Sequence, residues 1–175
     1  MGGEYFTIRP EKKYSAARFV IRQTAAYPIV GPRQHTMYFR NSLLALYDPN
    51  DERDVRYIVG LLNSRLLRYV YQRTVPEARQ KAFPQVKVRS LRQLPIRSID
   101  FSDPADKARH DRMVSLVQTM LDLHKHLATA KTAHEKTMLQ RQITATDHQI
   151  DQLVYELYGL TEEEIKIVEG GSSRT

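Results

Sequence analysis

Asp103-Pro104-Ala105-Asp106 divides the chain into two kinds of sequence. Aspartate caps a helix N-terminus, proline fits the first helical position, and an acid in the first turn suits the helix dipole. The stretch therefore opens a helix. All eight prolines lie at or before Pro104. Proline removes a backbone donor and clashes with the preceding turn, so the chain is punctuated up to this point and helical after it. Downstream, Leu116, Met120, Leu123, Leu127 and Ala130 follow a 4-3-4-3 spacing, a coiled-coil-like seam. A second seam runs through Leu139, Ile143, Ile150, Leu153 and Leu157. The first register, continued, meets His134, Thr137, Arg141, Thr144 and His148, so it breaks between Thr129 and Lys136. The expectation is an antiparallel pair of helices, the alternative being one kinked helix, closed at Gly159 by a left-handed cap. Thr161-Glu162-Glu163-Glu164 reads as a capping box for a short final helix, with a tail from Gly170.

Upstream, Arg18 to Gln23 alternates β-branched and polar residues like a strand. Tyr27–Val30 and Thr36–Phe39 read as two more strands around a turn at Gly31–His35. The apolar run Leu43–Tyr47, ended by Asp48-Pro49-Asn50, suits a buried strand. Ile58, Leu61, Leu62, Leu66, Tyr69 and Val70 then share one face of a single helix, capped by Asn50 or Asp51. Gly60 inside it costs about 1 kcal/mol relative to alanine, which suggests a close backbone approach. Arg73 to Pro84 reads as a basic loop, Gln85–Arg89 as a strand, and Ser90–Ile96 as a turn of helix with an extended exit. The fold class is α+β: a small irregular sheet with helices, followed by a helical hairpin. The domains are expected at 1–101 and 102–169, with a tail at 170–175.

Of the 175 residues, 27 are Lys or Arg and 20 are Asp or Glu, a formal net charge of +7. The surplus is confined to the first part: residues 1–100 carry 18 cations and 8 acids, and residues 101–175 carry 9 and 12. A basic face of that kind suits a polyanion. There is no cysteine, so a disulfide scaffold and a thiolate zinc site are excluded. No apolar run approaches the roughly 18 residues of a membrane span. The start, Met1-Gly2-Gly3-Glu4, lacks the features of a secretory signal. These readings point to a soluble cytoplasmic protein.

Most catalytic chemistry lacks its residues. The Glu-x-Lys triplets at Glu11 and Glu164 do not follow a Pro-Asp on a strand, so a nuclease is the weakest reading. His124 and His126 diverge on a helix, where metal ligands want i and i+4 or i and i+3. Neither a dinucleotide or phosphate glycine loop nor a nucleophile elbow occurs. No cofactor, metal or catalytic residue is expected. The acids Asp147 and Asp151, one turn apart, suit solvent or partner arginines better than a metal. Asn63-Ser64 suits capping or bridging of backbone better than a ligand.

The basic part pairs guanidinium with amide groups: Arg22-Gln23, Arg33-Gln34, Arg40-Asn41 and Arg79-Gln80-Lys81. Arginine reads guanine and Asn or Gln reads adenine in the major groove, while other cations hold phosphates. With Arg73 and Lys87, the candidate DNA-binding set is Arg22, Gln23, Arg33, Gln34, Arg40, Asn41, Arg73, Arg79, Lys81 and Lys87. Gln23, Gln34 and Asn41 are the expected base readers.

Val20-Ile21-Arg22-Gln23-Thr24, Tyr38-Phe39-Arg40-Asn41-Ser42-Leu43 and Ile58-Val59-Gly60-Leu61-Leu62-Asn63-Ser64 resemble the TaqI-like C-terminal specificity domain. So do Ala82-Phe83-Pro84-Gln85-Val86-Lys87-Val88 and Leu91-Arg92-Gln93-Leu94-Pro95-Ile96. This is the target-recognition module of adenine-specific DNA methyltransferases and fused restriction-modification enzymes, and is similar to half of a type I restriction specificity subunit. The stretch from Ile143 to Thr161 resembles the C-terminus of such enzymes, so the likeness spans roughly residues 5–169. It implies a recognition domain that docks on double-stranded DNA, and helices that pack on a methyltransferase or restriction chain in cis or in trans. The family's Asn-Pro-Pro-Tyr-like motif and glycine-rich S-adenosylmethionine loop do not occur here. The resemblance therefore implies a non-enzymatic specificity module, as a piece of a longer enzyme or as a separate subunit. The alternative is a non-catalytic interaction protein that acts, or self-associates, through its C-terminal helices.

Overall fold

The computed structural model describes residues 17–33, 43–49, 51–80 and 82–171. Strands β1 (Phe19–Arg22), β2 (Val30–Pro32) and β3 (Leu43–Leu46) form an antiparallel sheet in the order β2-β1-β3. Ile21 lies opposite Val30 and Leu44, and Phe19 opposite Pro32 and Leu46. The apolar run in β3 is buried at Leu44, Ala45 and Leu46, as a continuous hydrophobic strand requires. β2 corrects the expected order of strand and turn: Gly31 and Pro32 extend the strand. Pairing continues because the Arg22 N–H donates to the Ile29 carbonyl at 2.9 Å and the Arg33 N–H to the Arg18 carbonyl at 3.0 Å. Pro32 is tolerated because β2 is an edge strand. The expected strand at Thr36–Phe39 lies outside the described residues.

The single helix expected across residues 58–70 is two: α1 (Val55–Asn63) and α2 (Arg65–Thr74). Ser64 sits between them in extended conformation, with φ −66° and ψ 154°. Its hydroxyl donates to the Leu61 carbonyl at 2.7 Å and accepts the Leu67 N–H at 3.2 Å, ending one helix and capping the next. The cap of α1 is Asp54 rather than Asn50 or Asp51, its carboxylate accepting the Arg56 N–H at 2.8 Å. After α2 comes a 3-10 turn at Pro76–Arg79, where a basic loop was expected. The expected strand at Gln85–Arg89 reduces to one bridge, Thr24 opposite Gln85, because Val88 already begins the short helix α3 (Val88–Leu91).

Two 26-residue helices follow, α4 (Pro104–Thr129) and α5 (Ala133–Tyr158), turning back on each other at Ala130, Lys131 and Thr132. Asp103 caps α4 with Pro104 in its first turn, and Gly159 ends α5 with φ 65°. The final helix α6 (Glu162–Gly171) opens with the reciprocal box: the Thr161 N–H donates to Glu164 at 2.8 Å and the Glu164 N–H to the Thr161 hydroxyl at 3.3 Å. Thr146 fills the place the second seam left open between Ile143 and Ile150, and all three are buried.

One hydrophobic core runs through sheet and helices. It joins Ile21 and Leu46 to Leu61, Leu62 and Leu67, and these to Met113, Val117, Leu153 and Val154. Gly60 is where α1 meets α4: a Cβ there would lie 2.4 Å from Met113 Sδ and 3.1 Å from Val117 Cγ2. The passage into the hairpin is held by Arg97. Its N–H donates to the Tyr158 hydroxyl at 3.1 Å, its Nε to the Leu157 carbonyl at 3.2 Å, and its terminal nitrogen pairs with buried Asp106 at 3.2 Å. The Asp100 N–H, joined by Arg97 and Arg109, holds the Asp106 carboxyl below its usual range.

Candidate nucleic-acid interface

The end of β1 is built by the chain crossing it from 85–86. The Gln23 carbonyl accepts the Val86 N–H at 2.7 Å, and the Val86 side chain is fully buried. Arg22 stands exposed at this end, and its guanidinium has no hydrogen bond or ion pair among the described residues. Gln23 is half-buried beside it. Arg33 lies just beyond β2, near the opposite end of the sheet. Arg68 is not a free cation of this face: its guanidinium lies 3.9 Å above the Tyr27 ring. That contact offsets the burial of its Nε, which has no hydrogen-bond partner among the described residues.

A second group gathers past the end of α2. The Arg79 guanidinium donates to the Gln72 carbonyl at 3.2 Å and to the Arg73 carbonyl. It thus satisfies the last turn of α2, where orphan carbonyls favour a cation. Arg73 is exposed, with its guanidinium 5.1 Å from the Tyr69 ring centroid. Glu77 pairs with Lys87 at 3.2 Å and with Arg89. These bonds, Arg89's first, hold its carboxyl down at about 2. Val75, Pro76, Glu77, Gln80, Lys87, Arg89, Ser90 and Gln93 enclose a cleft of about 570 Å³. It is lined by amides, a hydroxyl and paired charges, the groups that can meet a base edge or a phosphate.

The structure thus places Lys87 in the cleft, Arg73 and Arg79 at the end of α2, and Arg22 and Gln23 at the end of β1. The crossing segment joins the cleft to the end of β1, since Val86 sits against Gln23 and Lys87 lines the cleft. Gln34, Arg40, Asn41 and Lys81 lie outside the described residues. Sequence reasoning passed over Arg89, Gln93 and Glu77. The signal was present: residues 55–99 carry ten Lys or Arg and one acid, Glu77. A lone carboxylate in such a stretch is the natural partner for its neighbours.

Among the described residues there is no group of three or more acidic or histidine side chains fit to hold a metal. No helix there is long and apolar enough to cross a membrane. The model of the TaqI-like C-terminal specificity domain matches residues 4–96. The chain belongs to this family. No curated protein and no solved structure matches it. In this specificity domain, the matched region holds the whole sheet, α1 to α3 and the cleft, and stops at Ile96 before α4 begins. Membership gives this region the role of a specificity domain, which is one of target recognition. The likeness of Ile143–Thr161 to the end of such enzymes lies outside the match.

Proposed function

We propose that the chain is the sequence-recognition module of a restriction-modification or adenine-specific DNA methyltransferase system, and that it does no chemistry of its own. The supporting observation is the specificity-domain match falling on the stretch with ten cations to one acid, where the cleft lies. Residues 1–101 would dock on double-stranded DNA in the cytoplasm, and residues 102–169 would mount that unit on the catalytic chain, in cis or in trans. Arg22, Arg40, Arg73, Lys81 and Lys87 would meet phosphates, with Arg79 adding its charge from the end of α2. Gln23, Gln34 and Asn41 would read base edges, with Arg33 at the start of the same connection.

Titration of a labelled mixed-sequence duplex over a range of salt tests this. Affinity should fall steeply with salt, because each neutralised phosphate releases counterions. Replacing Arg22, Arg40 and Lys81 together by alanine should lower affinity and flatten the slope by about one for each phosphate no longer neutralised. Unchanged affinity and slope would overturn the site. A second role rests on the hairpin: Leu123, Leu127 and Leu139 are half-exposed, and Met138 is 44 % exposed. Lys136, Gln140, Arg141, Ala145 and His148 border the adjoining groove of about 740 Å³. Loss of assembly with the methyltransferase on Leu123→Asp, with DNA binding intact, would separate this mounting role from recognition.

A further inference from the structure

Phe83 is 80 % exposed, far more than any other large apolar side chain among the described residues. Its backbone is left-handed, with φ 49°, and no other non-glycine residue among those described has a positive φ. An L-residue with a Cβ is strained there, and a residue before proline is ordinarily extended. Phe83 precedes Pro84 and so departs from both preferences. The segment that follows Phe83 is anchored: Gln85 bridges Thr24, and Val86 is buried and bonded to Gln23. An aromatic ring is thus held out in water, at some conformational cost, from an anchored loop. Arg79 precedes that loop and Lys87 follows it.

We propose that Phe83 is a wedge that enters the DNA duplex between two base pairs when the recognition module docks. This rests on the reading of the chain as a DNA-recognition module, and extends it to how the duplex is engaged. The argument is one of complementary surroundings. A ring on a cationic surface meets a polyanion first, and the apolar parts of DNA are its base faces. DNA-bending proteins insert Phe, Leu or Met between base steps in this way, against an unstacking cost. Because the backbone that follows Phe83 is already anchored, insertion costs mainly the rotation of the ring itself.

The chain has no tryptophan, so Phe83→Trp makes that position its sole tryptophan reporter. With the full chain and a labelled mixed-sequence duplex, Phe83→Ala should weaken binding by roughly tenfold, as removal of one base–aromatic stack does. Its salt slope should be unchanged, because no charge is removed. Phe83→Trp should keep near wild-type affinity, and its emission should be quenched and protected from iodide in the complex. Met138→Trp, on the hairpin, serves as the control and should show neither change. Phe83 lies outside the core, so circular dichroism should show every variant folded. Wild-type affinity in Phe83→Ala, or full iodide access to the tryptophan of Phe83→Trp in the complex, overturns the wedge and leaves the recognition reading standing. Weakened binding to single strands alone also overturns it, in favour of stacking on unpaired bases. Absence of duplex binding by the wild-type chain overturns both.

Discussion

The side-chain amide of Asn63 bonds both backbone groups of Val30. Its Nδ2 donates to the Val30 carbonyl at 3.0 Å, and its Oδ1 accepts the Val30 N–H at 2.9 Å. Ile29 offers its carbonyl to β1, so Val30, one residue on, points its polar groups the other way. A sheet edge left there would be open to pairing with another chain. The last residue of α1 closes it as a further strand would, and so fixes the sheet on the helices. Asn63→Ala should lower stability by about 1–2 kcal/mol, the worth of two such bonds. Asn63→Asp should fare no better, since a carboxylate cannot donate to the carbonyl. Urea unfolding checks this: the midpoint should fall with the slope unchanged.

Gly60 sets the separation of α1 and α4. Alanine there gains about 1 kcal/mol of helix propensity but drives a methyl into Met113 and Val117. Overpacking of this kind costs about 1–3 kcal/mol, so Gly60→Ala should lower the melting temperature. Met113→Ala is destabilising alone, because Met113 is fully buried. Together the two should destabilise by less than their sum, and a double-mutant cycle measures the difference.

Glu77 restrains the cleft it lines. Glu77→Gln removes the one carboxylate among the described residues that line it and releases Lys87 and Arg89. Non-specific duplex affinity should rise by roughly severalfold at low salt, with a steeper salt slope. The variant should also lose the part of the acid pH dependence that Glu77 contributes. Because the Glu77 carboxyl is held down at about 2 in the folded chain against an ordinary 4.5, the stability it gives is present above 4.5 and fades as pH falls towards 2. Duplex titrations and acid unfolding curves of the two proteins test both effects.

Asp151 acts with the opposite sign. Its carboxylate is buried under α2, accepting the Arg65 N–H at 2.8 Å and pairing with Arg65 Nε at 2.9 Å. Burial nevertheless pushes its carboxyl up to about 6, from an ordinary 3.8. The folded chain then binds more protons than the unfolded one between these values. The resulting stability is complete below 3.8 and is lost as pH rises through 6. The stability of the wild type relative to Asp151→Asn should therefore decline from pH 4 to pH 6, as urea unfolding at a series of pH values would reveal.

What could be read from the chain was local. Asp103 with Pro104, Thr161 with Glu164, and Gly159 act within a turn of themselves, and each does what its residue type dictates. Gly60 was legible because a glycine amid apolar helix positions needs a reason. The division of α1 from α2 was not, since Leu62 and Leu66 keep the helical spacing across Ser64 and periodicity is blind to a cap between them. Alternation of Val86 and Val88 looked like a strand, but only Gln85 finds a bridging partner. On sequence alone Asp151 suits solvent or an arginine; it meets Arg65, which the sequence could not single out because it is 86 positions away. The site divides in the same way. An excess of cations is a property of composition, whereas the tying of Arg79 to α2 and of Lys87 to Glu77 exists only once the loops have closed.

The contact of Gly60 with Met113 has a consequence for any attempt to transplant specificity. The residues that face DNA in this reading end before α4, yet α1 is shaped to Met113 and Val117 on the hairpin. A chimera joined at Ile96 would seat α1 on a foreign helix whose side chain opposite the glycine differs in bulk. The tilt of the sheet, and with it the angle at which the cleft meets the groove, would change even if every base reader were kept. Exchange of target sequence between two such chains thus requires the pair Gly60 and Met113 to travel together.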